Sequence, residues 1–403
     1  MSNVIVALVG ICFGICLQVA TLQQASARTW SVERDGTGDY TVIQDAVDAA
    51  ASGDTIMIGP GRFNEKHWVV TEGWSEFVRV QVTQQELTII GSGQETIIGQ
   101  DFPWNSSQGR HKGIATGDTW GNSVLRVGSL HMENMANAIY TSYEFNDKNV
   151  FHVSDCSFSG NDFSLYLIGN SGDVEVRDCS FNFMPESGVH VHGWNQNDLL
   201  IQGCDFRLVN EIYGQSALGL MGVQNALIEG CNFFEGTTGV TVTFGGPVQF
   251  RNCLFDGQGL VALYPSVNSS VAIDSCSFRN QVKAVESRES QNQVTITNSV
   301  VENVTDCSFS VWYTGGFTAT NCDLAKGDRG VIWILDQPSC AHMGRIDLTN
   351  NYWGTDSPDS VRAWIHDRND SEDACYYVDF EPFSDVPLPT EKKSLGSFKS
   401  LYR

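Results

Sequence analysis

The feature that most constrains the fold is a short phrase that returns through the middle of the chain. It consists of two apolar residues around a polar one, a polar bend and then Cys-x-Phe, as in residues 174–181 (VEVRDCSF). Successive cysteines of the six clearest copies are separated by 23, 25, 27, 22 and 23 residues. Self-similarity at this period predicts a solenoid of stacked repeats. The six cysteines are Cys156, Cys179, Cys204, Cys231, Cys253 and Cys276.

Each repeat is predicted to hold three short strands separated by bends. Alternating apolar and polar residues are typical of a strand with one buried face, and Gly, Asn or Asp before the cysteine suits a bend with positive φ. A second apolar pair follows each Phe, such as Leu165 and Leu167 after Phe158. The repeats lack helical periodicity, so the strands must stack on their own copies as an all-β, three-sided parallel solenoid. A propeller would need about 40 residues per blade.

The ends of such a solenoid need caps, because a bare coil exposes both its core and a strand edge. At the N-terminal end, residues 40–51 carry an amphipathic helical stripe that includes Val42, Ala46 and Val47. At the other end, residues 360–366 predict a short helical turn, and residues 386–403 read as a polar tail.

Composition excludes two classes of protein. The 403 residues include 24 Lys and Arg against 47 Asp and Glu, a formal charge of -23. A nucleic-acid partner requires a basic surface, so the charge has the wrong sign for one. With 41% hydrophobic residues, the chain has enough apolar material for a core and is not predicted to be disordered.

The N-terminal residues predict export. Residues 4–20 are an uncharged apolar run that is followed by Ala25-Ser26-Ala27, a pattern that signal peptidase cleaves. The run lacks a preceding Lys or Arg, so an N-terminal membrane anchor is the alternative. We expect a signal peptide over residues 1–27, a secreted or periplasmic mature protein, and no membrane span after cleavage.

Three segments of this sequence resemble a known group of proteins. Residues 35–46 and 59–65 are similar to the opening of pectin-lyase-like right-handed parallel β-helix proteins, and residues 350–355 (NNYWGT) are similar to the closing coil of exported bacterial β-helix repeat proteins. The resemblance implies one single-stranded, right-handed parallel β-helix domain over residues 28–385, with about ten coils. It also implies that one lateral face contacts an extracellular polysaccharide or cell-surface glycan.

The resemblance leaves the activity open, since this scaffold carries enzymes and non-catalytic binders alike. The Gln-Asp-Thr string of the esterases, the Asp-Asp and Gly-His-Gly strings of polygalacturonases, and the Trp-x-Asp-His string of pectate lyases do not occur in the sequence. The first hypothesis is therefore a secreted glycan-contacting protein without catalysis. The alternative is a polysaccharide-active enzyme, which would be a lyase, a hydrolase or a pectinesterase-like protein.

The sharpest candidate site lies on the strand that follows the Phe of each repeat. His190 and His192 stand two residues apart on one strand, so both are predicted to point to solvent on the same side. With the aromatic side chains of Tyr166, Trp194 and Tyr264, they would form a substrate-binding surface, and His190 and His192 are the catalytic candidates. Two alternatives remain, a pair of metal ligands or two exposed histidines without function.

The cysteines divide into two groups. The six repeat cysteines alternate with Phe on the inward face, so they are interpreted as small buried hydrophobes and not as a disulfide ladder. Cys340 and Cys375 lie outside the ladder and are the predicted disulfide, while Cys307 has no assignment. Residues 367–373 (DRNDSED) are dense in oxygen ligands and would suit calcium, although a solvated turn explains them as well. No other cofactor is predicted, and we expect a monomer.

Overall fold

The computed structural model describes residues 26–71, 74–104, 111–116, 123–141, 149–169, 172–196, 198–208, 216–288, 291–312, 314–337, 340 and 343–388. Residues 1–25 of the predicted signal peptide, and residues 389–403 of the predicted tail, lie outside this description. Within it, no helix is long and apolar enough to cross a membrane.

The described strands form three sheets that run the length of the molecule. The chain visits the sheets in turn, and each strand pairs with its counterpart in the next coil. Among the described strands, every pairing is parallel except the hairpin of His67–Thr71 with Trp74–Val82. About 11 turns result, close to the predicted ten. The predicted parallel β-solenoid is therefore confirmed.

The strand bounds follow from this winding. The first sheet contains Thr29–Val32, Asp54–Ile58, Glu86–Ile90, Val124–Gly128, Val150–Ser154, Val174–Arg177, Leu199–Gln202, Ala226–Glu229, Val248–Arg251, Ser270–Asp274, Gln293–Thr297, Gly316–Thr320, Gly344–Asp347 and Tyr376–Asp379. The second sheet contains Gly61–Phe63, Thr96–Gly99, His131–Glu133, Ser157–Ser159, Ser180–Met184, Asp205–Leu208, Asn232–Phe234, Leu254–Asp256, Ser277–Arg279 and Val300–Glu302. The third sheet contains His67–Thr71, Trp74–Val82, His111–Thr116, Asn137–Tyr140, Phe163–Ile168, Ser187–Gln196, Ser216–Val223, Thr238–Thr243, Val261–Pro265, Lys283–Ser287, Cys307–Val311, Ile332–Ile334 and Ile365–His366.

The repeated Phe forms a continuous stack inside the solenoid. Neighbouring ring centroids lie 4.7 to 5.0 Å apart, and their planes differ by 4 to 9°. Each ring is fully buried and is in register with the ring of the next coil. The stack contains Phe158, Phe181, Phe206, Phe233, Phe255 and Phe278. The sequence phrase therefore marks equivalent positions of successive coils.

The cysteine ladder lies beside this stack. All six repeat cysteines are buried and carry free thiols, which confirms their interpretation as small hydrophobes. The thiol of Cys179 donates to the carbonyl oxygen of Arg177 at 3.1 Å, and the other copies repeat the contact. Cys307 is also buried and free, whereas Cys340 and Cys375 form the predicted disulfide.

The bend before each cysteine explains the polar residue found there. Asp155, Asp178 and Asn252 have φ angles of 53°, 51° and 53°. These residues tolerate the left-handed region better than most others, and glycine takes the place at Gly203 and Gly230. The bend releases the chain from the first sheet into the second at the same point of every coil.

Short helices lie near both ends. The helix Ile43–Ala49 is shorter than the predicted 40–51, and its Ile43, Ala46 and Val47 are buried in the core of the first coils. The helix Pro358–Arg362 begins two residues before the predicted turn at 360–366, because Ser357 accepts a hydrogen bond from the Ser360 N–H and Pro358 occupies the first turn. A 3-10 turn is present at Gly93–Glu95.

Candidate functional site

The outer face of the third sheet carries a column of side chains from successive coils. Strand register aligns Tyr140, Tyr166, His190, Gly219, Thr241 and Tyr264 in this column. The sequence prediction therefore places Tyr166 and His190 correctly as neighbours. Tyr264 lies three coils beyond His190, about 14 Å away at about 4.8 Å per coil, so it does not join the same site.

An aromatic cluster surrounds His190. Its ring centroid lies 5.3 Å from that of Tyr166 and 5.9 Å from that of Phe163. Phe163 in turn lies 4.6 Å from Tyr166, and Tyr166 stacks on Tyr140 at 6.0 Å. Tyr166, His190 and Phe163 are each half-buried, which leaves part of every ring available to a ligand. Phe163 was missed by the sequence analysis because it begins its strand next to a bend.

His192 occupies the next outward position of the same strand, between Ile168 and Met221 of the adjacent coils. It is half-buried and not solvent-exposed as predicted, and burial lowers its pKa. The strand continues through Trp194, but the side chain of Trp194 lies outside the described residues. Its predicted part in the site therefore stays a prediction.

A depression of about 220 Å³ opens beside His190. Gly219 forms part of its floor, where a Cβ atom would lie only 2.7 Å from Nδ1 of His190. The absence of a side chain at this one position of the column therefore creates the opening. The depression is lined mainly by apolar surface from Phe163, Glu186, Ser187, His190, Ser216, Gly219, Leu220, Met221, Thr241 and Thr243.

Two acidic residues, Asp162 and Glu186, directly precede the first residues of neighbouring third-sheet strands, one coil apart. The Ser187 N–H donates to the Asp162 carbonyl oxygen at 2.9 Å, so Asp162 and Glu186 hold equivalent places on adjacent coils. Burial, and then the charge of Glu186, raise the pKa of Asp162 to about 7. Burial also raises the pKa of Glu186. Near neutral pH the pair therefore combines a carboxyl group that retains its proton for part of the time with a neighbouring carboxylate.

His190 has the opposite perturbation. Burial, and then the proximity of His192, lower the pKa of His190 to about 4. Its imidazole is therefore neutral at pH 7, with one nitrogen able to donate a hydrogen bond and the other able to accept one. In this state it suits hydrogen bonding to a hydroxyl or carbonyl group better than general acid catalysis at neutral pH.

The carboxylate pair was missed by the sequence analysis. The discriminating signal is present, since an acidic residue directly precedes the first residue of the third-sheet strand in both Asp162-Phe163 and Glu186-Ser187. Alignment of those two strands in register reveals it, whereas the search for fixed enzymatic strings does not.

The predicted metal alternative receives no support from the geometry. Among the residues that the structure describes, no group of three or more His, Cys, Asp or Glu side chains is placed to hold a metal ion. His190 and His192 are thus arranged beside rings and a depression, without a third ligand from the described part of the chain.

Comparisons with known proteins agree with this architecture. Residues 165–324 match the family model described as "Right handed beta helix region". Over these residues the chain is similar to right-handed parallel β-helix proteins, in agreement with the parallel solenoid described above. A search of curated proteins finds no sequence match.

Solved structures share the fold of this β-helix protein at low identity. The catalytic domain of a GH87 α-1,3-glucanase, in complex with tetrasaccharides, is 11% identical, with 87% of this chain and 68% of that chain covered and a TM-score of 0.54. The Agl-KA catalytic domain is 13% identical, with 85% and 63% covered and a TM-score of 0.51. A pectin methylesterase from carrot is 11% identical over 87% and 88%, with a TM-score of 0.35. The first two similarities concern the fold alone.

The segment predicted as a calcium site has a different organisation in the β-helix protein. Asp367 is fully buried, pairs with Arg362 at 2.8 Å, and accepts hydrogen bonds from the N–H groups of Asn369 and Val378 at 2.9 Å. Asp370 pairs with the same Arg362 at 2.8 Å. An arginine therefore supplies the positive charge for these carboxylates, and calcium binding there stays a prediction.

Proposed function

We propose that this protein binds an extracellular polysaccharide or cell-surface glycan on the outer face of its third sheet and hydrolyses a glycosidic bond there. The pair of Asp162 and Glu186 carries the proposal. Glycoside hydrolysis commonly uses two carboxyl groups, one protonated and one ionised, on either side of the bond that breaks. Different environments that separate the roles of two carboxyl groups are the usual sign of such a pair.

Asp162 is assigned the role of general acid. Its pKa of about 7 keeps a proton available for the leaving oxygen of the glycosidic bond. Glu186 is assigned the complementary role, in which its carboxylate activates water or attacks the sugar directly. Glu186 also lines the depression next to His190, so a sugar bound against the aromatic cluster lies within reach of that carboxylate.

The aromatic cluster supplies the binding surface. The half-buried rings of Phe163 and Tyr166 present faces on which the C–H groups of a sugar ring can stack. The neutral imidazole of His190, at 5.3 Å from Tyr166, adds a hydrogen-bonding group at the edge of this platform. A rigid sheet holds all three, which favours a preformed site.

Charge and fold narrow the substrate. A net charge of -23 repels polyuronates, so a neutral glycan is the better substrate. The GH87 α-1,3-glucanase domain, which shares the fold, was solved with tetrasaccharides, and this gives the scaffold a precedent for glycan binding. Export of the protein, which the apolar residues 4–20 predict, belongs to the same proposal because such glycans lie outside the cell.

The test is incubation of the purified protein with a panel of neutral and acidic polysaccharides. New reducing ends without ultraviolet-absorbing unsaturated products indicate hydrolysis, whereas unsaturated products would indicate a lyase. We expect Asp162→Asn and Glu186→Gln each to lower the hydrolysis rate at least about 100-fold. Asp155→Asn, at an exposed bend, is the matched control and should retain activity.

Binding must be measured alongside hydrolysis. If affinity electrophoresis shows glycan binding without cleavage by any variant, the protein is a non-catalytic binder and the assignment of Asp162 and Glu186 is wrong. If no glycan is bound or cleaved, the whole proposal fails.

A further inference from the structure

We infer that the depression beside His190 receives a small acyl substituent of the bound sugar, so that the preferred substrate is an acetylated glycan. This inference rests on the proposed function, because it places the substituent next to the sugar that Asp162 and Glu186 would act on. It names a substrate class that hydrolysis alone does not require.

The first argument for an acyl substituent is the apolar lining of the depression. Phe163, Leu220 and Met221 contribute apolar surface, and polar atoms are a minority. A sugar hydroxyl enclosed by such walls would lose hydrogen bonds to water without replacement, which is unfavourable. A methyl group gains free energy on entering the same space. The depression therefore selects an apolar group in preference to the hydroxyls of an unsubstituted sugar.

The second argument is the small volume of the depression. Its volume of about 220 Å³ is below the roughly 300–1,000 Å³ of typical drug-sized ligand sites. It thus suits a substituent or part of one sugar residue and is too small for an oligosaccharide. The glycan chain would lie above it, on the outer face of the sheet.

The third argument is the position of Gly219, which keeps the depression open. The neighbouring members of the column, His190 and Thr241, both have side chains that would fill such a space. A Cβ atom at position 219 would lie 2.7 Å from Nδ1 of His190 and 3.6 Å from Oγ of Ser216. Glycine therefore keeps the floor open and leaves both polar atoms at its border.

Either of these two polar groups, Nδ1 of His190 or Oγ of Ser216, can hydrogen-bond to the single carbonyl oxygen of an acyl group. An acetyl group presents a methyl group and a single carbonyl oxygen, which requires one donor. Both the Ser216 hydroxyl and a neutral His190 imidazole can donate such a hydrogen bond. The Ser187 hydroxyl is already directed to the carbonyl oxygens of Val189 and Ala217, at 3.2 and 3.4 Å. An N-acetyl amide and an O-acetyl ester share this chemistry.

The experiment compares ligand pairs that differ in acetylation, at about pH 8, where most chitosan amines are neutral and the net charge of -23 does not favour the deacetylated member. Chitin oligosaccharides are compared with chitosan oligosaccharides, and O-acetylated xylan with chemically deacetylated xylan, by calorimetry on the full chain. We expect at least one acetylated member to bind about 10-fold or more tightly than its partner, and the responding pair tells whether the amide or the ester is recognised.

Two variants assign the preference to the depression. Gly219→Ala should abolish the preference by filling the floor, so it should weaken binding of the acetylated ligand more than binding of the deacetylated one. Gly259→Ala, whose added Cβ would meet only one backbone oxygen at 3.6 Å, is the matched control. If Gly219→Ala does not fold, Met221→Gln tests the same lining, and it should reduce the preference by making the wall polar.

The outcomes separate this inference from the proposed function. Equal binding of acetylated and deacetylated ligands by the unmodified protein overturns the inference, and so does a preference that survives both Gly219→Ala and Met221→Gln. In either case, hydrolysis that depends on Asp162 and Glu186 would still support the proposed function. Hydrolysis that is unaffected by Asp162→Asn and Glu186→Gln refutes the proposed function, whatever the ligand preference.

Discussion

The Ser187 N–H donates to the carbonyl oxygen of Asp162 at 2.9 Å, and this bond fixes two acidic side chains one coil apart at the same edge of the third sheet. Burial raises the pKa of Asp162, and the charge of Glu186, held one coil away, raises it further. Backbone pairing of the solenoid thus determines a chemical property of the site.

Activity should depend on the proton of Asp162. If Asp162 is the general acid, hydrolysis falls as the pH rises through about 7, the pKa of its carboxyl group. The fall has this direction because the ionised form has no proton to give to the leaving oxygen. The measurement is the hydrolysis rate against pH with a fixed oligosaccharide. A rate that is still rising above pH 8 would exclude Asp162 from this role.

Stability should respond to pH through Asp162 and His190 in opposite directions. The pKa of Asp162 is raised from its ordinary 3.8 to about 7, so between these values the native state binds more protons and loses stability as the pH rises. The pKa of His190 is lowered from 6.5 to about 4, so the unfolded state binds more protons there and stability increases as the pH rises. In the unmodified protein the two effects oppose each other.

Single substitutions should reveal each effect. Asp162→Asn removes the loss of stability that ionisation of Asp162 causes as the pH rises. The free energy of unfolding should therefore increase more steeply between about pH 4 and 7 than in the unmodified protein. His190→Gln should give the reverse change over about pH 4 to 6.5. Urea denaturation at several pH values provides the measurement, with Asp155→Asn as the control. Parallel pH profiles for all four proteins would contradict these two pKa shifts.

The fold was predictable from the sequence because the same residues occupy the same place in every coil. The spacing of Phe158, Phe181 and Phe206 already required rings in register, and their centroids lie 5.0 and 4.7 Å apart. Alternation also placed Tyr166 and His190 on adjacent coils, as the strand pairing shows. In these strands the local alternation of residues and the stacking of coils predict the same structure, so the fold can be inferred from the sequence.

The site was less predictable, and the reason is geometric. Tyr264 was grouped with His190 because alternation places both on the outer face, but the strand register sets Tyr264 against Thr241, three coils beyond His190. Asp162 and Glu186 lie in bends, where an acidic residue normally needs no explanation. They come close together because each bend leads directly into a third-sheet strand, and these two strands are paired in register.

The Phe stack should be essential to the stability of the solenoid. Phe206 is fully buried between rings at 4.7 and 4.9 Å, so Phe206→Ala leaves a cavity and should cost about 3–5 kcal/mol. Phe183 lies in the preceding coil, two residues after Phe181, but is 61% exposed, and Phe183→Ala should change stability by less than about 0.5 kcal/mol. Thermal and urea unfolding test the pair. Similar losses for both variants would contradict a continuous buried stack.

The disulfide should stabilise the C-terminal coils. Cys340 and Cys375 are separated by 35 residues, and a loop of this length corresponds to about 4 kcal/mol of chain entropy removed from the unfolded state. The double variant Cys340→Ala with Cys375→Ala should therefore melt at a lower temperature. A reducing agent should destabilise the unmodified protein and leave the variant unchanged. A reductant effect of equal size on both would locate the sensitivity elsewhere.

Arg79 should destabilise the first coils. It is only 3% exposed, and within the described residues its Nε, Nη1 and Nη2 atoms have no hydrogen-bond partner. Burial lowers its pKa to about 10, although the charge of Glu65 acts in the opposite direction. Arg79→Met keeps most of the apolar stem and removes the buried charge, so we expect the free energy of unfolding to increase by about 1–4 kcal/mol. Arg345→Met, at an exposed residue that pairs with Asp379, is the control and should have an effect below about 0.5 kcal/mol. Urea unfolding at neutral pH measures both, and a large loss of stability in Arg79→Met would mean that the guanidinium makes a contact that the protein requires.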